Sequence, residues 1–375
     1  MSPSRQQAAR LERMARVRQE MAAAGVDALL CSLGADLPWL TGYEAMPLER
    51  LTMLVLPADG PATLVVPELE APRVAHDEAL FALQPWKEGE DPVALVASLV
   101  GSRRRLAVSD RAWAVHLLAL ERQLAGASFL PASSVTSPLR SVKDAAEIAA
   151  LQAAGVAADE VAAALFAGEI RLVGRKESEV AKEIGERLVA AGHRKVNFAI
   201  VGSGPNSASP HHEPGERVIA EKEAVVCDFG GTYYLDDTVG YCSDTTRTVF
   251  TGEPDPQFRE LYEVLREAQG KALASAVVGA SCESVDAAGR QVIEAAGFGE
   301  YFIHRIGHGI GIEEHEDPYM VAGNSEPLAP GHAFSVEPGI YIPGRFGARI
   351  EDIAVASEAG PIACNASDHS LHVVA

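Results

Sequence analysis

The chain opens on an amphipathic stretch. From Arg5 to Ala24, Leu11, Met14, Val17 and Met21 recur at helical spacing with charged residues between them, and Gly25 stops the run. The pattern then turns continuously apolar over Asp27–Ser32, which predicts a strand. Leu51–Pro57 and Ala62–Pro67 flank the turn signal Ala58-Asp59-Gly60-Pro61 and predict a hairpin. A strand at Arg105–Ser109 and a helix at Ala112–Ala125 complete an α/β domain of roughly the commonest domain size.

The segment Pro131 to Asp144, rich in serine and proline, reads as a crossover, giving domains at 1–138 and 139–375. Beyond it the pattern predicts an Ala-rich helix, Ala145–Ala167, and a second helix, Glu177–Ala191. Strands are expected at Asn197–Val201, Ala224–Phe229 and Tyr241–Phe250, then helices near Pro256–Val278 and Ser284–Ala296. A Gly- and His-rich stretch and two final strands close an α+β second domain.

Composition narrows the class. A length of 375 residues suits two domains, and 47% hydrophobic with 22% charged residues suits a globular enzyme. No run approaches the uninterrupted apolar length of a membrane span, and Met1 to Arg18 lacks the apolar core of a secretory signal. Five widely spaced cysteines without a Cys-x-x-Cys pair argue for a reducing compartment, with the cytoplasm as the default. A formal charge of −20 disfavours nucleic acid as a partner. No His-Glu-x-x-His helix, Gly-x-Ser-x-Gly elbow or Gly-x-x-x-x-Gly-Lys loop occurs.

Polar residues nevertheless interrupt apolar strands in the second domain. Asp228 ends the run beginning Val225-Val226-Cys227, and Asp244 lies within the predicted strand Tyr241–Phe250. His308 sits in Gly307-His308-Gly309-Ile310-Gly311, where the glycines are expected to let the backbone pass close to a ligand. Glu337 ends Phe334-Ser335-Val336, and Glu351 shares a strand face with Arg349. Singly, each reads as a turn, a strand end or a hydrogen-bonded histidine. Four converging carboxylates would repel one another, whereas two divalent cations cancel their charge and His308 adds a neutral ligand. Such oxygen-rich ligation suits Mn²⁺, with Co²⁺ or Zn²⁺ as alternatives, and carboxylates can hold two ions around a shared hydroxide.

Six motifs then carry a family resemblance. They are Ser203-Gly204-Pro205-Asn206-Ser207-Ala208-x-Pro210-His211, Asp228-x-Gly230, Gly240-Tyr241-x-Ser243-Asp244-x-Thr246-Arg247, Gly307-His308-Gly309-Ile310-Gly311-x-x-x-His315-Glu316, Glu337-Pro338-Gly339-Ile340-Tyr341 and Arg349-Ile350-Glu351-Asp352. This series resembles prolidases and aminopeptidases P of the pita-bread metallopeptidase family. Trp39-Leu40-Thr41-Gly42-Tyr43 and the stretch Leu139 to Ile148 resemble the creatinase-type N-terminal domain and its junction.

The resemblance implies metal ligands Asp228, Asp244, His308, Glu337 and Glu351, with Asp244 and Glu351 bridging. It implies Glu337 as proton relay, His211 and His315 on the scissile carbonyl and oxyanion, and Arg349 and Tyr341 steadying the carboxylates. Hydrolysis of the Xaa-Pro bond in short proline-containing peptides follows from it, as does a homodimer. Methionine aminopeptidase, creatinase, a lyase and a peptide-binding module on the same fold are the competing readings. His212 is expected to be exposed and without a role.

Two departures stand out. Asp228 and Asp244 lie 16 positions apart, where the family usually has 11, and the surplus falls within Tyr233–Val239. The Leu235-Asp236-Asp237 tip is therefore expected to reach over the cleft or a neighbouring subunit. Some prolidases place an Arg shortly after the second His, but Glu316 to Val321 contains none. A cation for a dipeptide's free carboxylate must come from elsewhere, with Arg345, Arg349 or a partner subunit as candidates. The chain length, similar to that of shorter bacterial dipeptidases, favours dipeptides over longer peptides.

Overall fold

The computed structural model describes residues 3–235 and 239–374, so Asp236 and Asp237 of the expected loop tip lie outside the described residues. The chain divides into two compact units between Arg140 and Ser141.

The first unit runs α1 (Pro3–Ala24), β1 (Ala28–Cys31), α2 (Asp36–Thr41), β2 (Met53–Pro57), β3 (Thr63–Pro67), β4 (Ala82–Trp86), α3 (Pro92–Val100), β5 (Arg105–Val108), α4 (Ala114–Gln123), β6 (Ser128–Pro131) and α5 (Ser133–Arg140). Its six strands form one mixed sheet in the order β4-β3-β2-β1-β5-β6. Helix α1 buries Met14, Val17 and Met21, as its period predicts. Strands β1 and β2 are buried along their whole length, which explains runs without polar alternation.

Four elements escape the sequence pattern, α2, α3 and the edge strands β4 and β6, each for a local reason. α2 is too short to show a period. α3 is apolar throughout, and its start is set by Pro92 and by the Asp91 carboxylate, which accepts from the N–H groups of Val93 and Ala94. β4 is an edge strand, exposed over most of its length. α5 occupies the expected crossover: the Thr136 hydroxyl bonds back to Ala132 O (3.1 Å), and Val135, Thr136 and Leu139 are buried.

The second unit begins with α6 (Ala145–Phe166) and α7 (Glu177–Ala190), followed by β7 (His193–Ser203), β8 (Ala224–Tyr233), β9 (Tyr241–Cys242) and β10 (Thr245–Thr251). Helices α8 (Pro256–Ser275) and α9 (Cys282–Ala295) precede β11 (Gly307–Gly309), β12 (Glu316–Met320), β13 (Ala333–Val336), β14 (Gly339–Ile342), β15 (Phe346–Arg349), β16 (Asp352–Val355), β17 (Ile362–Ala363) and β18 (His372–Val374). Two sheets dominate, β18-β10-β8-β7 with β9 beside β8, and β12-β11-β13-β16-β17, while β14 and β15 form a separate hairpin. Tyr233 pairs with Tyr241, so the surplus between Asp228 and Asp244 falls in the connection 234–240.

α6 departs from expectation. Among the described residues it is long and apolar enough, by length and composition, to cross a membrane, where the sequence reading found no such run. It carries Glu147, Asp159 and Glu160, and it buries Leu151, Ala154, Ala158, Val161 and Leu165. Several of these join the core formed with α7, β8 and β10. Its apolarity is that of a core helix whose small side chains pack closely on a sheet. A capping box sets its start, with Asp144 accepting from the N–H groups of Ala146 and Glu147 and Glu147 reaching back to the Asp144 N–H.

Candidate metal centre

The five predicted ligands come from two sheets and the segments beside them. Asp228 lies in β8, opposite Thr246 of β10. The predicted strand Tyr241–Phe250 is divided into β9 and β10 at Ser243-Asp244, although the Ser243 N–H still donates to Gly231 O of β8 (2.9 Å). Glycine at position 230 permits the close approach of this segment, since a Cβ there would collide with Ser243 O. Glu351 also falls between strands, β15 and β16, rather than within one, yet a bridge to Thr246 fixes its backbone. Glu337 follows β13, and its N–H donates to Ile306 O (2.7 Å). His308 is the middle residue of β11.

The glycines around His308 serve strand packing rather than ligand approach. A Cβ at Gly307 would meet Ser335 O, and one at Gly309 would meet the Asp317 backbone, so side chains are excluded by the neighbouring strands β13 and β12. The His308 Nδ1 lies 3.1 Å from Gly309 O, which turns Nε2 toward the carboxylates.

Ligating atoms of Asp244, His308 and Glu351 lie within 4.8 Å of one another, and all three residues are buried. The His308 Nε2 stands 3.3 Å from Glu337 Oε1 and 3.7 Å from Asp244 Oδ2. Asp228 joins the group through Arg349, whose Nη2 donates to Asp228 Oδ2 (2.5 Å), while Asp228 Oδ1 is buried with no hydrogen-bond partner among the described residues. Glu351 Oε2 accepts from the Thr246 hydroxyl (2.6 Å) and lies 3.9 Å from Arg349 Nε.

The electrostatics show what the bare cluster lacks. Burial, then Glu351, Asp228 and Glu337, pushes Asp244 well above the usual carboxylate range. Glu351 is pushed well above it too, by burial and then by Glu337 and Asp228. Burial raises Glu337 to about 7 and lowers His308 to about 3, with His315 adding to the second shift. A neutral imidazole, one orphaned carboxylate oxygen and carboxylates that cannot all ionise together form a donor set deficient in positive charge. Oxygen donors with a single imidazole fit hard or borderline divalent cations, and the residues present fit such a group.

The other predicted residues surround this cluster. His315 and His211 are exposed, and the His315 ring centroid is 3.9 Å from that of His308. Arg349 Nη1 donates to the Tyr341 hydroxyl (2.8 Å) and to Pro210 O (3.3 Å), tying the residue before His211 to the cluster. Burial raises the Tyr341 hydroxyl to about 12, so it stays protonated.

Four residues in the vicinity were given no role from the sequence. His304 Nε2 lies 3.0 Å from the Tyr341 hydroxyl, and burial followed by Arg349 lowers it to about 4, keeping it neutral. Arg247 is fully buried and donates to Glu351 O (2.7 Å) and Asp352 Oδ1 (2.6 Å), bracing the segment that carries Glu351. Glu177, at the start of α7, accepts from Ser203 N, Ser203 Oγ and Asn206 Nδ2. His212, expected to be exposed, is half-buried with Nε2 2.8 Å from Glu177 Oε2. The loop carrying His211 is thus pinned from both sides. Arg247 stood inside a motif and was readable; Glu177 resembled an ordinary first-turn acid, and nothing local marks it as the anchor of a loop 26 residues on.

Known proteins resemble this chain over nearly its whole length. Residues 149–358 match metallopeptidase family M24, and residues 13–142 match the creatinase/prolidase N-terminal domain. The probable dipeptidase PepE of Mycobacterium tuberculosis is 45% identical over 366 residues, 96% of each chain. The Xaa-Pro dipeptidase of Lactobacillus helveticus is 36% identical over 90% of this chain and 92% of its own. The crystal structure of dipeptidase PepE from Mycobacterium ulcerans superposes with a TM-score of 0.91 at 44% identity, covering 98% of both chains. The polar residues buried in the second unit therefore have a family context: the chain belongs to metallopeptidase family M24, as a pita-bread catalytic domain preceded by a creatinase/prolidase N-terminal domain.

Proposed function

We propose that this metallopeptidase hydrolyses the Xaa-Pro bond of dipeptides and that Asp228, Asp244, His308, Glu337 and Glu351 hold two divalent cations, Mn²⁺ by preference. The observation that carries the reading is the buried cluster of Asp244, His308 and Glu351 beside the orphaned Asp228 oxygen. When bound, the cations supply charge neutralisation, an activated water and Lewis-acid polarisation of the scissile carbonyl.

The chain's own residues supply the rest. Glu337, hydrogen-bonded by the Ser335 hydroxyl (3.2 Å), takes the proton of the attacking water and delivers it to the imide nitrogen of the leaving proline. That nitrogen has no N–H and leaves as a secondary amine, so a proton delivered in place lowers its barrier. His315 and His211 donate to the carbonyl oxygen as it gains charge. Arg349 holds Asp228 in one rotamer and fixes the Tyr341 hydroxyl, leaving the carboxylates no freedom to turn away.

Dipeptide specificity is supported by the relatives named dipeptidase and Xaa-Pro dipeptidase. Cytoplasmic residence is supported by five free, buried thiols. A homodimer follows from the family resemblance, and sedimentation that finds only monomer at micromolar concentration would overturn it. The function itself is tested by offering Ala-Pro, Met-Pro and Ala-Pro-Ala to metal-free protein resupplied with Mn²⁺, Co²⁺ or Zn²⁺. Metal-dependent cleavage of the dipeptides is expected. Preference for the tripeptide would indicate an aminopeptidase P activity, and silence on all three with metal bound would indicate a lyase or another C–N hydrolase.

A further inference from the structure

A dipeptide substrate brings its free carboxylate close to the scissile bond, into a site already crowded with carboxylates. Such a group needs a cation whose charge is not already committed. Most guanidiniums around the cluster are committed. Arg349 is occupied by Asp228, Tyr341, Thr246 and Pro210, and Arg247 by Asp352 and Ser367. Arg290 forms an ion pair with Asp286 (2.8 Å), and Arg345, exposed, donates to Gln257 and lies over Phe346.

Arg305 differs. It is half-buried, and among the described residues its guanidinium has neither a carboxylate within ion-pair distance nor a side-chain hydrogen bond. Its guanidinium lies over the ring of Tyr319, with the guanidinium carbon 4.3 Å from the ring centroid. Stacking on an aromatic face fixes the plane of the fork while leaving its N–H edge free for a planar anion. Its chain neighbours touch the site. His304 on one side touches the Tyr341 hydroxyl, and Ile306 on the other accepts the Glu337 N–H. Two residues further on, β11 presents His308, and β12 brings Tyr319 alongside through the Gly307–Met320 pair. The Arg305 charge reaches His315 and Glu337, acting on both.

We infer that Arg305, held flat against Tyr319, is the specificity-determining cation that receives the C-terminal carboxylate of the dipeptide. The inference rests on the dipeptidase reading above. It also accounts for the stretch Glu316–Val321 having no arginine, since Tyr319 within it holds one supplied from position 305.

The test compares the manganese-loaded wild type with Arg305→Met and Arg305→Lys on Ala-Pro and on its C-terminal amide, which is nearly isosteric but uncharged. The wild type should prefer the acid. Arg305→Met should lower the acid-to-amide ratio of kcat/KM by about 10- to 100-fold, mainly through KM, as expected for one hydrogen-bonded charge pair. Arg305→Lys keeps the charge and loses the fork, so an intermediate ratio is expected. It also carries the test should the methionine variant fail to fold. A wild-type ratio retained in the variants, or equal losses on acid and amide, overturns the role of Arg305 and leaves the dipeptidase intact. A wild type that ignores Ala-Pro but cleaves Ala-Pro-Ala overturns the dipeptidase reading, and the Arg305 role with it.

Discussion

The interiors of the two units are built on opposite terms. In the first, β1 and β2 read Ala-Leu-Leu-Cys and Met-Leu-Val-Leu-Pro, all buried and nearly all apolar. In the second, β10 reads Thr-Thr-Arg-Thr-Val-Phe-Thr and is buried just as fully, while β8 carries Asp228 inside an otherwise apolar run. Burying a hydrocarbon strand stabilises a fold at about 25 cal/mol per Å² removed from water. Burying threonine, arginine and aspartate costs free energy unless every polar group finds a partner. Strands β1 and β2 are explained by folding alone, whereas β8 and β10 keep polar groups that a purely structural core would have replaced. The difference marks where the chemistry is.

That contrast can be broken by mutation, and the largest effect is expected at the ligands. Asp244→Asn should reduce turnover by roughly 10³-fold or more, because several kcal/mol of transition-state stabilisation disappear with the bound ions. Metal content by atomic emission should fall in parallel while the fold persists, since the substitution also removes a like charge. In the first unit, Leu30→Ala should instead cost about 2–5 kcal/mol of stability in denaturant titration. The folded fraction should turn over at the wild-type rate. Loss of turnover per folded molecule in Leu30→Ala would break the division between a structural and a chemical interior.

Arg349→Met tests how far the polar interior depends on its supports, with metal affinity or activity expected to fall about 10- to 100-fold. Arg349→Lys should recover little, because a point charge cannot serve Asp228, Thr246 and Tyr341 together. The smallest effect concerns Glu177. Burial alone would raise its carboxyl, but hydrogen bonds from Ser203, His212 and Asn206 outweigh burial and hold it below the usual range. A depressed folded value stabilises the protein above the unfolded value, near 4.3, and the contribution is lost as pH falls through the folded value. Glu177→Gln should therefore cost about 1 kcal/mol at neutral pH, and the gap to wild type should close in acid. A gap independent of pH would show that the carboxylate charge is not what pins the loop.

Much of this was legible in the sequence because periodicity and motif report on different things. The long helices α1, α6, α7 and α8 announce themselves through spacing and stops, since each buries one face over several turns. The five proposed ligands were legible because carboxylates inside apolar runs have no purely structural excuse. What escaped was set by partners distant in sequence. Ser243-Asp244 passes so close to β8 that only glycine fits at position 230, and the glycines flanking His308 make room for β12 and β13. Glu177 and His212 meet across 35 positions, and Arg305 gains its meaning only from Tyr319, which another strand supplies. Local pattern has no access to such pairs.

The polar interior is proposed to need two ions per chain. Metal-free protein titrated with Mn²⁺ while Ala-Pro hydrolysis is followed should be silent at the start, then gain activity to a plateau at two ions per chain. A plateau at one ion, or full hydrolysis before any metal is added, would contradict it.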